Sequence, residues 1–307
     1  MGFPRVLFVS FPHFLKEISA LLEGRVEPVR VDVPSWRRWP LSRRLAAARG
    51  AHAVHYFWAR PKLLETALLR IGGRKVVQHF IGTDVLKLLR APARKKLEAR
   101  LVARFSTTAA VSQNLVDELR TVGVRARLVP FVSSKAYPRA EEIGWNPGPP
   151  WRILTYVPAR RRDFYGFSKV VELARRFPEV VFQVLAMAPQ DVRDDDLPPN
   201  LDLLGWRDDV SSLLRECHGL LRVTEHDGLP NMVVEALAHG RYVVYSGALP
   251  GCFHATDMLD LEAAVRTITE KRGPNRDGQR FVQERFGRER IRGGFLELYG
   301  LRPVEAP

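Results

Sequence analysis

The chain alternates short runs in which nearly every position is apolar with longer stretches in which apolar residues recur every three or four positions. RVLFVSF (5–11), AHAVHYFW (51–58), KVVQHF (75–80), TTAAVS (107–112) and RARLVPF (125–131) belong to the first kind. Their lack of apolar–polar alternation predicts strands covered on both faces, as in a parallel sheet. FLKEISALLEG (14–24), PKLLETALLRIGG (61–73) and SQNLVDELRTVG (112–123) have helical spacing, with Gly24 and Gly123 placed to stop helices and Ser112 placed to cap one. Residues 133–149 break the pattern with Pro, Gly and Ser, which predicts a linker. The alternation then restarts. WRILTYV, VVFQVLAM, LDLLG, LLRVT and RYVVYS read as strands, with FSKVVELARRFP, VSSLLRECHG and NMVVEALAHG as helices among them. RFVQERFGRERIRGGFLELYG reads as one or two closing helices. The expected class is α/β: two tandem Rossmann-like, doubly wound domains, 1–132 and 150–284, facing a central cleft at the carboxyl ends of their strands.

Composition narrows this. With 307 residues and 46% hydrophobic positions, the chain can bury two ordinary cores. No apolar run reaches the ~20 residues that span a bilayer. The opening MGFPRVLFVSFPHF has no basic segment, long apolar core and small-residue cleavage site in series, so a cytoplasmic protein is expected. Two cysteines, Cys217 and Cys252, make neither a disulfide framework nor a metal cluster. Charge divides unevenly. Residues 1–132 carry 24 Lys and Arg against 9 Asp and Glu, a net of +15, whereas residues 133–307 carry 24 against 25, a net of −1. The first half is therefore the one suited to an anionic surface or ligand.

Within the second half, TEHDGLPNMVVEALAHG (224–240) places two acids, Asp227 and Glu235, around a Gly-Leu-Pro-Asn turn that opens a helix at the carboxyl end of a strand. Helix capping alone would account for an acid and a proline there. The alternative is a binding site. The unbonded amides of a helix start, from Asn231 through Met232 to Val233, attract an anion, and Gly228 lets it approach the backbone. Leu229 and Pro230 shape the turn. Glu235, one turn in, suits sugar hydroxyls.

DGLPNMVVEALAHGRYVVYS resembles the acid-Gly-x-Pro-Asn-x-x-x-Glu-Ala-x-Ala-x-Gly stretch of retaining glycosyltransferases of family 4, which have the GT-B fold. LLGWRDDVSSLLRECHGLLRVT before it, the closing RFGRERIRGGFLELYG, and HFIGTDVLKL with TTAAVSQNLVDELRTVGVRARLVPF in the first half resemble the same family. The resemblance implies a metal-independent transfer of a sugar from a UDP- or GDP-type donor to an acceptor hydroxyl with retention, the acceptor a glycan or a lipid-linked molecule and no further cofactor. It implies that a terminal helix, about 285–307, packs back on the first, acceptor-side domain. Asp227 and Glu235 stand eight apart where the family has two Glu. By resemblance Asp227 contacts the donor sugar and Glu235 the ribose. In YVPARRRDFYG, Arg160 stands where the family has a diphosphate-binding Arg and Tyr165 where it has a Lys, leaving Arg161 or Arg162 to supply a second charge. His79 is an offset candidate for a donor-sugar contact, with a structural histidine as the equal alternative; Asp84 is a candidate helix cap. The family's N-terminal glycine pair is missing from VSFPHFLKEIS. That omission keeps a second reading open: a non-catalytic nucleotide-sugar- or glycan-binding relative.

Two further motifs invite other chemistry. RDDDLPPN (193–200) has an Asp-x-Asp spacing, which elsewhere binds a divalent metal, but its prolines predict a solvated loop. PSWRRWPLSRRLAAARG interleaves Trp36 and Trp39 with Arg37, Arg38, Arg43 and Arg44. Such a mixture suits an anionic membrane face, single-stranded nucleic acid or an ordinary exposed helix. Membrane is preferred over nucleic acid, for which no binding motif is present, and the expected location is the cytoplasm with peripheral attachment to the inner face of the membrane.

Overall fold

The computed structural model of the protein describes residues 2–139, 143–145, 148–192 and 196–301. It divides into two compact units, residues 1–134 with 288–307, and residues 135–287.

The first unit is built on a six-stranded parallel sheet: β1 (Arg5–Ser10), β2 (Glu27–Asp32), β3 (Ala53–Phe57), β4 (Lys75–Phe80), β5 (Thr107–Ala110) and β6 (Arg127–Leu128). The spatial order is β2-β1-β3-β4-β5-β6, every neighbouring pair parallel. Helices cover both faces, so β1, β3 and β4 are enclosed almost along their whole length, as their unbroken apolar runs require. The strand EPVRVD was not anticipated, because Pro28 and Arg30 interrupt its apolar positions; it forms the sheet edge, where both are tolerated. RARLVPF shrinks to two paired residues. It is the opposite edge, and Pro130 has no N–H to extend the ladder. Ser112 holds the N-cap position of helix Gln113–Thr121, but its hydroxyl makes no capping bond. Asp84 takes up backbone amides at the start of helix Thr83–Leu89, accepting from Gly82 N at 2.9 Å and Val85 N at 3.0 Å. The terminal helix Arg288–Leu298 belongs to this unit. Arg292 Nε donates to Leu21 O at 2.7 Å, and Tyr299 OH lies 2.7 Å from His55 Nδ1.

The second unit repeats the plan with β7 (Trp151–Tyr156), β8 (Val180–Leu185), β9 (Leu201–Gly205), β10 (Gly219–Arg222), β11 (Tyr242–Tyr245) and β12 (Cys252–His254). The order is β12-β11-β10-β7-β8-β9, again all parallel. In such a sheet the chain winds outward from one pair of neighbouring strands, and ligands bind beyond their carboxyl ends. Here that pair is β7 and β10. Its counterpart in the first unit is β1 and β3. No helix among the described residues is long and apolar enough to cross a membrane.

Candidate functional site

Two loops meet beyond the ends of β7 and β10. Residues 157–166 leave β7 through a short 3-10 turn, Ala159–Arg161, and residues 223–230 leave β10 and enter helix Asn231–Ala238. They are fastened by Glu225 N, which donates to Phe164 O at 3.0 Å, and the strands they leave are tied by Thr155 Oγ1, which donates to Leu221 O at 2.9 Å. Gly166 is left-handed (φ 67°), and a Cβ there would lie 2.6 Å from Val223 O, so only glycine allows this approach. A third loop joins through Ser246, whose hydroxyl accepts from Thr224 N (3.1 Å) and donates to Thr224 O (2.8 Å).

Asp227 and Glu235 both lie in this part of the unit. Asp227 is held by Arg222, which donates through Nε at 3.0 Å and Nη2 at 2.5 Å to Asp227 Oδ2. Gly228 N donates to Oδ1 at 3.0 Å. Only 11% of the Arg222 side chain and 18% of the Asp227 side chain is exposed, which makes this pair stronger than a surface ion pair. Arg222 also lies over the rings of Tyr165 (4.8 Å) and Tyr156 (5.9 Å), the two stacked edge to face. Tyr165, standing where a lysine was looked for, thus carries a cation on its face. Burial, and then the Asp227 charge, push the Tyr245 hydroxyl well above its ordinary range. Arg222 escaped sequence reasoning, since nothing in LLRVTEHDG says that its strand-end side chain folds back on the acid five residues later.

The helix start has no side-chain cap. The Val233 amide already donates to Pro230 O at 3.0 Å, so it is not free for an anion as the sequence suggested. The amides of Asn231 and Met232 have no acceptor among the described residues, and Asn231 Oδ1 is enclosed without a donor. Gly228 and Pro230 are buried and Leu229 half-buried. Glu235 is 5% exposed, so a hydroxyl held by its carboxylate would be shielded from water. Arg160, Arg161 and Arg162 are exposed beside β7. Arg161 stacks on Phe164 at 4.0 Å, while Arg160 makes no hydrogen bond or ion pair among the described residues. The arrangement offers amides and guanidinium groups to an anion, and a fixed carboxylate, Asp227, with a buried one, Glu235, to hydroxyl groups. Cys217 is buried and Cys252 half-buried, and burial pushes each thiol up to about 12, which leaves no thiolate near neutral pH. No group of three or more His, Cys, Asp or Glu side chains that could hold a metal occurs among the described residues. Asp194, the first acid of the Asp-x-Asp spacing, lies outside them.

The structure does not present His79 to a ligand. It lies on the central strand β4 of the first unit with 0% exposure, Nε2 2.8 Å from Val129 O and its ring parallel to His55 at 5.4 Å. Phe57 and Phe295 pack around it at 4.9 and 5.3 Å. Burial lowers its pKa to about 4, so it is a neutral core histidine. The Trp–Arg segment is also partly internal. Trp36 is 4% exposed and donates from Nε1 to Glu65 Oε1 at 3.0 Å, and Arg44 Nη1 donates to Glu65 Oε2 at 2.7 Å. Tyr56 donates to the same carboxylate. These residues answer a buried acid rather than a lipid surface. Arg37, Arg38 and Arg43 remain exposed, Arg43 lying 4.4 Å over the Trp39 ring.

No family profile matches the chain, and no curated protein matches it in sequence. Solved structures do. Anabaena HepE, in a complex with UDP and glucose, superposes with a TM-score of 0.73 at 14% identity, covering 97% of this chain and 99% of that one. Sucrose-phosphate synthase from Thermosynechococcus elongatus gives 0.71 at 14% identity over 97% and 98%. A glycosyltransferase from Rickettsia africae gives 0.72 at 12% identity over 97% and 98%. Together with the two parallel sheets, these likenesses establish the fold as GT-B, with two Rossmann-like domains.

Proposed function

We propose that the chain is a retaining glycosyltransferase that takes a sugar from a nucleoside-diphosphate donor of the UDP or GDP type and passes it to an acceptor hydroxyl without a metal ion. The observation that carries this reading is the turn at 223–230: a fixed acid, open helix-start amides and an arginine loop converge where an open α/β sheet binds ligands. HepE, of the same fold, is described with UDP and with UDP-glucose, which supports a nucleotide-sugar donor.

In this reading the Asn231 and Met232 amides and Arg160, with Arg161 beside it, receive the diphosphate. Glu235 accepts hydrogen bonds from the ribose. Asp227 accepts them from the donor sugar, and Arg222 fixes the angle at which it does so. The bond from the anomeric carbon to the diphosphate oxygen breaks, and charge grows on the leaving group, where Arg160 stabilises it. The acceptor oxygen bonds to the same face of that carbon, and its proton passes to a departing diphosphate oxygen. Transfer to a glycan or lipid-linked acceptor from a panel of UDP- and GDP-sugars, with and without EDTA, tests this. Turnover unaffected by EDTA and a product of unchanged anomeric configuration are expected; turnover abolished by EDTA, or an inverted product, would overturn the mechanism.

A second reading, a binding relative without turnover, draws on Ser10, Phe11 and Pro12 at the exit of β1, where the resembling family has glycines. Tight nucleotide-sugar binding with no turnover across the panel would favour it. Docking of the first unit on an anionic membrane rests on the net +15 of residues 1–132 and the exposed Arg37, Arg38 and Arg43. Co-sedimentation with phosphatidylglycerol vesicles, lost when those three are reversed in charge, is the expected result. Equal sedimentation with neutral vesicles would refute it.

A further inference from the structure

The first unit holds a second set of features at its own winding-out point, beyond β1 and β3, that the donor site does not use. Trp58, the residue after β3, is left-handed with φ 55°. A bulky side chain seldom adopts that conformation, and residues held this way gather at ligand sites. Its amide still donates to His79 O at 3.1 Å, so the chain turns abruptly just as it leaves the sheet. The half-buried indole lies 5.0 Å from the Phe11 ring and edge-on to Phe14 at 5.8 Å. Phe11 precedes helix Pro12–Leu21, which has no side-chain cap, and the His13 and Phe14 amides have no acceptor among the described residues. Ser10, the last residue of β1, is wholly enclosed, and its hydroxyl has no partner.

We infer that Trp58 and Phe11 form a stacking platform for a saccharide ring, with Ser10 and the open amides of the helix start as its polar rim. The ligand class follows from the mixture. A pyranose has an apolar C–H face that lies on an aromatic ring and hydroxyls at its edge that need hydrogen-bonding partners. A lipid tail would leave the amides and Ser10 unsatisfied, and a free phosphate would gain nothing from the indole. That this saccharide is the acceptor rests on the function proposed above; that it binds here does not.

The test uses the full chain without nucleotide, titrated calorimetrically with maltose, cellobiose and chitobiose. Two variants separate the platform from the fold. Trp58→Gly removes the ring and also relieves the backbone, since glycine adopts a positive φ without strain. Trp58→Phe keeps a smaller ring. At least one disaccharide should bind, with affinity falling about tenfold or more in Trp58→Gly and less in Trp58→Phe, while the thermal midpoint is retained and UDP affinity is unchanged. No binding by any of the three sugars to the wild-type chain, or equal binding by the folded Trp58→Gly variant, overturns the inference. Saccharide binding that needs Trp58 in a chain indifferent to UDP would leave the platform standing and remove the donor reading.

Discussion

Replacing His79 by Phe tests whether this residue belongs to the core or to the chemistry, and the structure sets the size of the effect. Val129 O can only accept, so Nε2 carries the proton of the neutral ring, and a second proton must go to Nδ1, which is enclosed with no partner. Burial accordingly lowers the pKa from 6.5 to about 4. His55, stacked on it, is held well below 6.5 as well, by burial and then by the neighbouring His79. Both groups are bases with depressed folded-state values. Below pH 6.5 the unfolded chain therefore binds more protons, and stability falls as pH drops from 6.5 towards 4. At about 1.4 kcal/mol per pH unit, His79 alone removes about 3 kcal/mol across that window, and its whole contribution is present above 6.5. Urea unfolding of the full chain between pH 7.5 and 5 is the assay, a range above most carboxylate titration. His79→Phe loses the bond to Val129, about 1 kcal/mol at pH 7.5, but should shed one proton's worth of the pH slope and keep its catalytic turnover when folded. An unchanged slope would refute the buried, neutral histidine. A folded variant with normal slope loss but no turnover would put His79 back among the catalytic residues.

Three other substitutions address the proposed donor site. Glu235→Ala should weaken binding of the nucleoside diphosphate by roughly 10- to 150-fold, measured by calorimetry, because a charged hydrogen bond to the ribose is lost; unchanged affinity in a folded variant removes that assignment. Arg160→Ala should lower kcat by about 10- to 100-fold with little change in discrimination among donor sugars, since it acts on leaving-group charge. A silent substitution would require another cation. Arg222→Met should lower kcat by up to about 100-fold while UDP affinity moves less than about threefold, because Asp227 loses its orientation rather than its charge. Equal losses in kcat and UDP affinity would make Arg222 a direct ligand of the nucleotide.

Much of this was readable from the chain because buried parallel strands and the helices between them leave opposite periodicities. The central strands β3, β4, β7 and β10 were legible, and the edge β6 was legible as a strand but not in its length; the edges β2 and β12 were not, being interrupted by Pro and Arg or short. The turn at Asp227 was visible for the same local reason: Gly, Pro and Asn define it before any tertiary contact forms. What escaped depends on pairing between distant residues. Glu65 collects Trp36, Arg44 and Tyr56 from 29, 21 and 9 residues away, and the partial burial of this basic, aromatic segment has no sequence signal. His79 had one. A histidine inside a mostly apolar run on a strand covered on both faces has little water to meet, and its burial follows from the fold class itself.

The proposed function requires a nucleoside diphosphate to lie against the start of helix Asn231–Ala238. A crystal of the full chain soaked with UDP, and a second with GDP, would show this directly. One of the two nucleotides should place its phosphates within hydrogen-bonding distance of the Asn231 and Met232 amides and the Arg160 guanidinium, with its ribose hydroxyls on Glu235. A nucleotide ordered elsewhere in the chain, or none at the turn at saturating concentration, would contradict the central claim.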